Sequence, residues 1–151
     1  MKAVIQRVTT ADVTVGKDHV GHINRGLVVL VGVADGDTES DAAYVAKKTV
    51  EMRIFEDASG RFNLSAVDVR AEIMAVSQFT LLADTRRGRR PSFTEAAPPD
   101  RAKALFDSFV TAARTSGLKV ETGRFQEHML VEIHNDGPVT IVLDSREKTG
   151  R

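Results

Sequence analysis

The apolar and polar positions in the first part of the chain follow the spacing of β-strands. Residues 3–15 alternate loosely and are rich in Val, Ile and Thr, whereas residues 27–33 form an almost continuous apolar run. Gly16 and Gly21 lie between these segments and indicate turns. We therefore expect an opening antiparallel meander in which one strand is covered on both faces.

Two later segments have the spacing of amphipathic helices. The first covers about residues 39–52, and either Thr38 or Ser40 could cap its start. The second begins at Pro98-Pro99-Asp100 and ends at Gly117, in agreement with the preference of proline for the first turn and of glycine for the end. The apolar faces comprise Ala42, Val45, Ala46, Thr49 and Val50, and Ala102, Leu105, Phe106, Phe109 and Ala113.

Further apolar segments predict a short strand at 53–55 and longer ones at 72–82, 118–122, 129–135 and 139–144. Polar side chains interrupt the segment 72–82, and inside a buried strand they cost free energy unless they are hydrogen-bonded or functional. Residues 84–97 are expected to form a long loop, a kind of segment that is often functional in small domains.

Together these elements predict a single α+β domain over residues 1–144. Its mainly antiparallel, barrel-like sheet would be covered by two helices. Residues 145–151 are charged and offer nothing to bury, so we expect a disordered tail there.

Composition narrows the class of protein. The 151 residues fit one domain, and the absence of cysteine excludes disulfides, thiolate nucleophiles and cysteine-based metal sites. The 21 basic and 21 acidic residues cancel, so contact with nucleic acid must be local, for which the cluster Arg86-Arg87-Gly88-Arg89-Arg90 is the candidate. No stretch approaches 18 apolar residues, and we expect a cytosolic protein without membrane contact.

The common catalytic and cofactor motifs are missing. The sequence has neither a Gly-x-Ser-x-Gly elbow nor a glycine-rich phosphate loop, and we expect no cofactor. Glu132, His134 and Asp136 alternate on one strand face and could meet around a metal, but a solvated strand face is the expected outcome and we predict no metal.

Two segments are unusual for strands, namely Ser77-Gln78-Phe79-Thr80-Leu81 and Asn135-Asp136-Gly137-Pro138-Val139-Thr140. The second enters a β-branched segment through a Gly-Pro pair, although proline has no N–H for a sheet ladder. Each segment alone could be structural, as a strand with satisfied hydroxyls or as a turn into a last strand.

With four further segments they give the chain an end-to-end resemblance to the D-aminoacyl-tRNA deacylases, the D-tyrosyl-tRNA(Tyr) deacylase family. The four are Ile5-Gln6-Arg7-Val8, Arg87-Gly88-Arg89-Arg90-Pro91-Ser92-Phe93, Pro99-Asp100-Arg101-Ala102 and Thr122-Gly123-Arg124-Phe125. The departures are Pro98, where a serine-like helix cap is expected, and the charged tail after Asp144.

The resemblance implies a homodimer in which the Gly137-Pro138 corner, with a cis peptide bond, enters the partner's active site. Its two carbonyl groups would accept the substrate's α-ammonium group, and its wall would exclude an L side chain. D-Aminoacyl-tRNA would then be hydrolysed to free D-amino acid and tRNA. Glycyl-tRNA is also expected to react, because glycine has no side chain to exclude.

The resemblance places Ser77, Gln78, Phe79 and Thr80 in the catalytic site, with N–H groups around Phe79 and Thr80 as oxyanion donors. Thr80 could be a nucleophile or only position the substrate, and the ribose 2′-hydroxyl is expected to help activate water. Other implied substrate-binding residues are Arg7, which would hold the corner, and Phe125 and Met129, which would line the adenine site. The arginines Arg86, Arg87, Arg89 and Arg90 could contact tRNA phosphates.

Two alternatives stay open at this point. A non-catalytic nucleic-acid-binding protein would need the arginine cluster but not the Gly-Pro corner. A sister proofreading enzyme with a trans Gly-Pro bond would accept a mischarged L-aminoacyl-tRNA.

Overall fold

The first strand organises the sheet in the computed structural model, which describes residues 1–149. The strand β1 (Lys2–Val15) pairs antiparallel along one edge with β3 (Gly26–Gly32) through its first half and with β2 (Asp18–Ile23) through its second half. Its other edge pairs antiparallel with β8 (Leu130–Asp144) over nearly its full length. Because β1 serves two neighbours on one edge, the sheet curls around it.

Most pairings in the sheet are antiparallel, as predicted, but the sheet is mixed because two pairings are parallel, which the prediction did not include. The strand β3 pairs parallel with β6 (Glu72–Ser77), and β6 pairs parallel with β7 (Val120–Thr122). The reason is that the chain between β3 and β6 crosses over through a helix, a connection that leaves the two strands parallel.

The sheet nearly closes on itself at Gly21. This residue lies inside β2 and not in a turn as predicted, and a Cβ there would stand 3.0 Å from Met74 Cε and 3.2 Å from the Thr122 carbonyl oxygen. Glycine is therefore required by the close approach of β2 to β6 and β7. The barrel-like shape of the prediction is correct in this respect.

Three α-helices accompany the sheet within residues 1–149, one more than predicted. The two expected helices are α1 (Glu39–Glu51), which begins with a capping box between Thr38 and Asp41, and α3 (Pro99–Arg114). The additional helix α2 (Ala66–Val69) has four residues, too few to show a helical period. The strands β4 (Phe55–Glu56) and β5 (Phe62–Leu64) form a separate small hairpin.

The apolar residues form two cores. The larger lies between the sheet and the helices and includes Ile5, Phe55 and Phe109, while the smaller fills the inside of the curl and includes Val13 and Met74. The second core makes the curled half of the sheet a rigid support for the loops at its end.

Two predicted strands have different bounds in the structure. The segment 72–82 is a strand only as far as Ser77 and continues as a 3₁₀-helix at Phe79–Leu82. The segments 129–135 and 139–144 are not two strands, because β8 runs through both of them. The Gly-Pro pair therefore interrupts the ladder without ending the strand.

The predicted disordered tail is ordered where it begins. Ser145–Glu147 form a 3₁₀-helix, and the buried Ser145 donates its N–H to the Met1 carbonyl at 2.8 Å. The Ser145 hydroxyl also accepts a hydrogen bond from the Met1 ammonium group at 2.7 Å. Residues 150–151 of that tail lie outside the described residues. Across residues 1–149, no helix has both the length and the hydropathy that crossing a bilayer requires.

Candidate active site

A cavity of about 730 Å³ lies at the end of β6, where the strand gives way to the 3₁₀-helix. A volume of this size suits a ligand as large as an aminoacyl nucleoside. Three parts of the chain form most of its wall: the end of β6, the segment before α3, and the loop before β8. The lining residues with functional side chains or rings are Ser77, Gln78, Phe79, Phe93, Phe125, Gln126, Glu127, His128 and Met129.

The backbone changes conformation at Gln78, which lines this cavity together with Ser77 and Phe79, whereas the predicted site residue Thr80 is not among the lining residues. Gln78 leaves the strand with φ −141° and ψ 80°, and its own N–H donates to the Val31 carbonyl at 2.8 Å. The 3₁₀-helix begins with Phe79 and Thr80, so their N–H groups have no acceptor inside that helix. This arrangement can stabilise a negative charge on a bound group.

The side chains of the same segment are held by neighbours. Gln78 Nε2 donates to Thr80 Oγ1. The Phe79 ring is 56% exposed and meets the Phe93 ring edge-on, with the two centroids 5.0 Å apart. Phe93, which comes from the predicted long loop, was not singled out as a site residue in the sequence.

The loop before β8 supplies an apolar surface opposite this segment. Phe125 and Met129 are half-buried and both line the cavity. Met129 Sδ accepts the Arg124 N–H at 3.4 Å, and a Cβ on Gly123 would lie 2.5 Å from the same sulfur. Glycine at 123 is thus what lets Met129 fold back towards its own loop.

The structure places two titratable side chains in the cavity wall that sequence reasoning missed. Glu127 and His128 are exposed and line it together with Phe125 and Met129. His128 is far from Ser77 and Thr80 in sequence, and only the fold brings these segments to one cavity. The signal available in the sequence was their position directly beside Phe125 and Met129.

The Gly137-Pro138 corner is not part of this cavity in the same chain. The ladder between β1 and β8 pairs Gln6 with Thr140 and Val8 with Asn135, so residues 136–139 leave it. Val139 is buried in the larger core, and residues 136–138 form an exposed protrusion. Both Gly137 and Pro138 are exposed, and the peptide bond between them is cis.

Asn135 closes the base of this protrusion, a role the sequence did not reveal. Its Oδ1 accepts the Val139 N–H at 2.8 Å, and its Nδ2 donates to the Val139 carbonyl at 3.2 Å. The side chain thereby replaces the ladder bonds that the protrusion lacks.

Arg7 holds the protrusion from the other side. Its Nε donates to the Asp136 carbonyl at 3.0 Å and its Nη1 to the Ile54 carbonyl at 2.8 Å, and the side chain is only 7% exposed. The Arg7 guanidinium also lies 5.4 Å from the centre of the Phe62 ring. The corner is therefore tied to the small β4–β5 hairpin region through one buried arginine.

Replacing Arg7 by methionine is expected to lower the free energy of unfolding by about 2–3 kcal/mol, because it leaves the Ile54 and Asp136 carbonyls without donors. Urea denaturation measures this change. The control Arg53→Met removes an exposed arginine from the same region and should change stability by less than about 0.5 kcal/mol. Equal losses in the two variants would contradict a holding role for Arg7.

The arginine cluster lies on a loop closed by two hydrogen bonds between the main chains of Asp84 and Ser92, at 2.8 and 2.9 Å. Arg86 is engaged locally, because its Nε and Nη2 bind the Asp84 carboxylate at 2.9 and 2.7 Å. These bonds lower the pKa of Asp84 to about 2. Within residues 1–149, the exposed Arg87, Arg89 and Arg90 form no ion pair.

The side chains that could bind a metal come together on the β1–β2 hairpin and not at Glu132, His134 and Asp136, the set considered from the sequence. Among the residues that the structure describes, one group of potential metal ligands has its three ligand atoms within 4.8 Å of one another, namely Asp12, His19 and His22. Glu132, His134 and Asp136 form no such group within the same residues.

Comparison with known proteins agrees with this architecture. A family model described as D-Tyr-tRNA(Tyr) deacylase matches residues 4–144. A protein of Dehalococcoides mccartyi (strain ATCC BAA-2266 / KCTC 15142 / 195) named D-aminoacyl-tRNA deacylase is 57% identical over 98% of this chain and 97% of its own length. A protein of the same name from Thermotoga petrophila (strain ATCC BAA-488 / DSM 13995 / JCM 10881 / RKU-1) is 58% identical over 96% of this chain and 97% of its own.

Two solved structures share the fold. One, described as c-Myc DNA Unwinding Element Binding Protein, superimposes with a TM-score of 0.89 and 41% identity over 95% of this chain and 98% of that one. Another, described as a probable eukaryotic D-amino acid tRNA deacylase, has a TM-score of 0.81 over 94% and 97% of the two chains. Its identity of 18% supports the fold alone.

The fold, the cavity and these relatives define an enzyme of the hydrolase class. The chain belongs to the D-Tyr-tRNA(Tyr) deacylase family, and its relatives from Dehalococcoides mccartyi and Thermotoga petrophila carry the name D-aminoacyl-tRNA deacylase. The resemblance drawn from the six sequence segments is thereby confirmed.

Proposed function

We propose that the cavity at the end of β6 hydrolyses the ester bond between a D-amino acid, or glycine, and the terminal adenosine of tRNA. The observation that carries this proposal is a cavity of about 730 Å³ lined by Gln78 and Phe79, at the start of a 3₁₀-helix whose first N–H groups have no acceptor inside the helix, in a chain of this family. An oxyanion develops in the transition state of ester hydrolysis, and donors in fixed positions stabilise it without reorganisation.

The adenine would lie against Phe125 and Met129. A half-buried ring and a polarizable sulfur suit the stacking of an unpaired terminal base. With the adenosine held at this end of the cavity, the ester would lie towards Gln78 and Phe79.

The 2′-hydroxyl of that adenosine would help activate the attacking water. Thr80 Oγ1 accepts a hydrogen bond from Gln78, and the structure gives it no bond to a carboxylate or imidazole among residues 1–149. A hydroxyl without a base beside it is a poor nucleophile. We therefore assign Thr80 a positioning role. His128, which lines the cavity, is the side chain that would act as the base if the 2′-hydroxyl did not.

Chirality would be read by the Gly137-Pro138 corner of a second copy of the chain. The corner protrudes from its own sheet, is exposed, is fixed by Arg7 and Asn135, and does not line its own cavity. Rigid main chain can accept an α-ammonium group and block an L side chain without gripping any particular D side chain.

Two exposed apolar side chains near opposite ends of β8 support such a homodimer. Val142 is 74% exposed and Leu130 is 61% exposed, and both lie on the strand that carries the corner. Apolar side chains of this size on one strand favour burial against a second subunit.

Two inactive variants should restore each other if the corner acts across the dimer. Gly137→Ala alters the corner, while Ala102→Trp fills the cavity of its own chain. A co-expressed mixture at equal levels should regain about one quarter of wild-type activity, because half of the dimers are mixed and each has one intact site. Mixed dimers with no recovered hydrolysis would contradict a cross-subunit site.

The exposed Arg87, Arg89 and Arg90 would contact phosphates near the tRNA end. They lie on the loop that also supplies Phe93 to the cavity, and only a few residues of sequence separate the arginines from Phe93. Arg86 is less suited, since it already binds Asp84.

The alternative of nucleic-acid binding without catalysis rests on the same arginines and on the similarity to the c-Myc DNA Unwinding Element Binding Protein, at 41% identity. It leaves the cavity and the fixed corner without a use. A sister enzyme that accepts a mischarged L-aminoacyl-tRNA would keep both, and the stereochemistry of the hydrolysed ester separates it from the proposed deacylase.

A further inference from the structure

Asp12, His19 and His22 form a cluster on the β1–β2 hairpin, away from the residues that line the cavity. Both imidazoles reach the same carboxylate oxygen: His19 Nε2 and His22 Nδ1 each lie 2.8 Å from Asp12 Oδ1. Two nitrogen ligands and one oxygen ligand thus converge on a single point.

An irregularity in the hairpin produces this convergence. Asp12 pairs with His22 and Val13 with Gly21, but Thr14 then pairs with His19, so Val20 is skipped. Residues three apart in a regular strand point to opposite faces, and the extra residue of a bulge reverses that relation. The bulge therefore brings His19 to the face that carries His22.

A cation bound between the rings would replace the protons that join them to Asp12. His22 Nδ1 lies 2.8 Å from Asp12 Oδ1, a distance at which the nitrogen donates to the carboxylate, and a metal ion would take the place of that proton. His22 Nε2 lies 3.2 Å from Asn24 Oδ1, an acceptor for an N–H on the outer nitrogen. Hydrogen bonding of the outer nitrogen to a fixed acceptor is the usual support of a metal-bound histidine.

The surrounding charges favour a cation. Glu132 is the register partner of Asp12 on β8, so its side chain emerges on the same side of the sheet. Lys119 is the nearby positive group, with its Nζ 3.4 Å from the His22 carbonyl, but it lies 3.7 Å from Glu72 and 3.6 Å from Glu121. Its charge is largely offset by these two carboxylates.

We propose that Asp12, His19 and His22 bind a divalent transition-metal ion of the Zn²⁺ type, with water completing a tetrahedron. Nitrogen and oxygen ligands at about 2.0–2.1 Å from zinc stand roughly 3.3 Å apart, so the present separations must widen by a few tenths of an ångström. The imidazoles are 57% and 42% exposed and have room for this adjustment.

Such an ion would fix the hairpin and, through it, the cavity loop. Asp18 begins β2 directly before His19, and its carboxylate binds Arg124 Nη1 at 3.2 Å. Arg124 precedes Phe125, which lines the cavity. The ion would therefore have a structural role. It would stabilise the hairpin that supports the loop at the adenine side of the cavity, and it would not take part in catalysis.

Titration of chelator-treated protein with Zn²⁺ in a calorimeter tests this site. One equivalent should bind and raise the melting temperature, and His22→Gln or His19→Gln should weaken binding by more than about tenfold. His134→Gln is the matched control, because it removes an exposed histidine from the neighbouring strand β8 and should leave binding unchanged.

Cobalt(II) supplies a second measurement that does not depend on stability. The wild-type protein should develop the intense visible absorption of a tetrahedral site, and Asp12→Asn should lose it while keeping its circular dichroism spectrum. No stoichiometric binding, or equal binding by the wild type and both histidine variants, would overturn the proposal. Because neither readout involves tRNA, failure here leaves the proposed deacylase activity unaffected.

Discussion

Gly137→Ala is expected to reduce kcat/KM for D-tyrosyl-tRNA by about 100-fold, the loss typical of a displacement near 1 Å in a reacting site. Gly137 has φ +140°, a backbone conformation that L-residues rarely adopt. A Cβ at this position would lie 2.7 Å from Val139 Cγ2, 3.0 Å from the Val139 nitrogen and 3.3 Å from Arg7 Nη2. The methyl group therefore displaces the corner or the arginine that fixes it.

A matched glycine separates this effect from general backbone strain. Gly60 also has a positive φ, +77°, but a Cβ there meets nothing within 4 Å. Gly60→Ala should cost some stability and leave kcat/KM within about twofold of the wild type, since it touches neither cavity nor corner. If Gly137→Ala is folded and keeps wild-type kcat/KM, the corner does not take part in substrate selection.

Removal of the substrate's 2′-hydroxyl is expected to have the second large effect. A D-aminoacyl-tRNA ending in 2′-deoxyadenosine should be hydrolysed about 10²- to 10⁴-fold more slowly, the range for loss of a group that assists proton transfer. Binding should change little, because the adenine contacts with Phe125 and Met129 remain. Single-turnover rates and equilibrium binding measure the two quantities separately.

Two protein variants act as controls on the normal substrate. Thr80→Val and His128→Gln should each retain activity within about tenfold, because neither side chain is assigned the role of nucleophile or base. If the 2′-deoxy substrate is turned over normally and His128→Gln loses most of its activity, then His128 and not the 2′-hydroxyl acts as the base.

The sequence predicted those parts of the fold that have a clear local period. The helices α1 and α3 follow from apolar residues at helical spacing and from Thr38 and Pro99 at their starts. The mixed order of the sheet could not be predicted in this way, since β3 and β6 look alike whether they pair parallel or antiparallel. The Ser145 helix depends on a contact with Met1, at the far end of the sequence.

The site was predicted unevenly for a similar reason. The segment from Ser77 to Thr80 and the pair Phe125 and Met129 were recognised, and the fold brings Ser77, Gln78, Phe79, Phe125 and Met129 to one cavity. Asn135, which closes the Gly-Pro protrusion, and Phe93, which supports Phe79, act through contacts that no periodicity records.

The decay of D-tyrosyl-tRNA, L-tyrosyl-tRNA and glycyl-tRNA, with and without catalytic amounts of the purified protein, decides whether the chain is a chiral deacylase. We expect rapid loss of the D and glycyl esters, with the L ester decaying as it does in buffer alone. Equal loss of the D and L esters would contradict chiral selection by the corner, and no loss above buffer would contradict the deacylase activity itself.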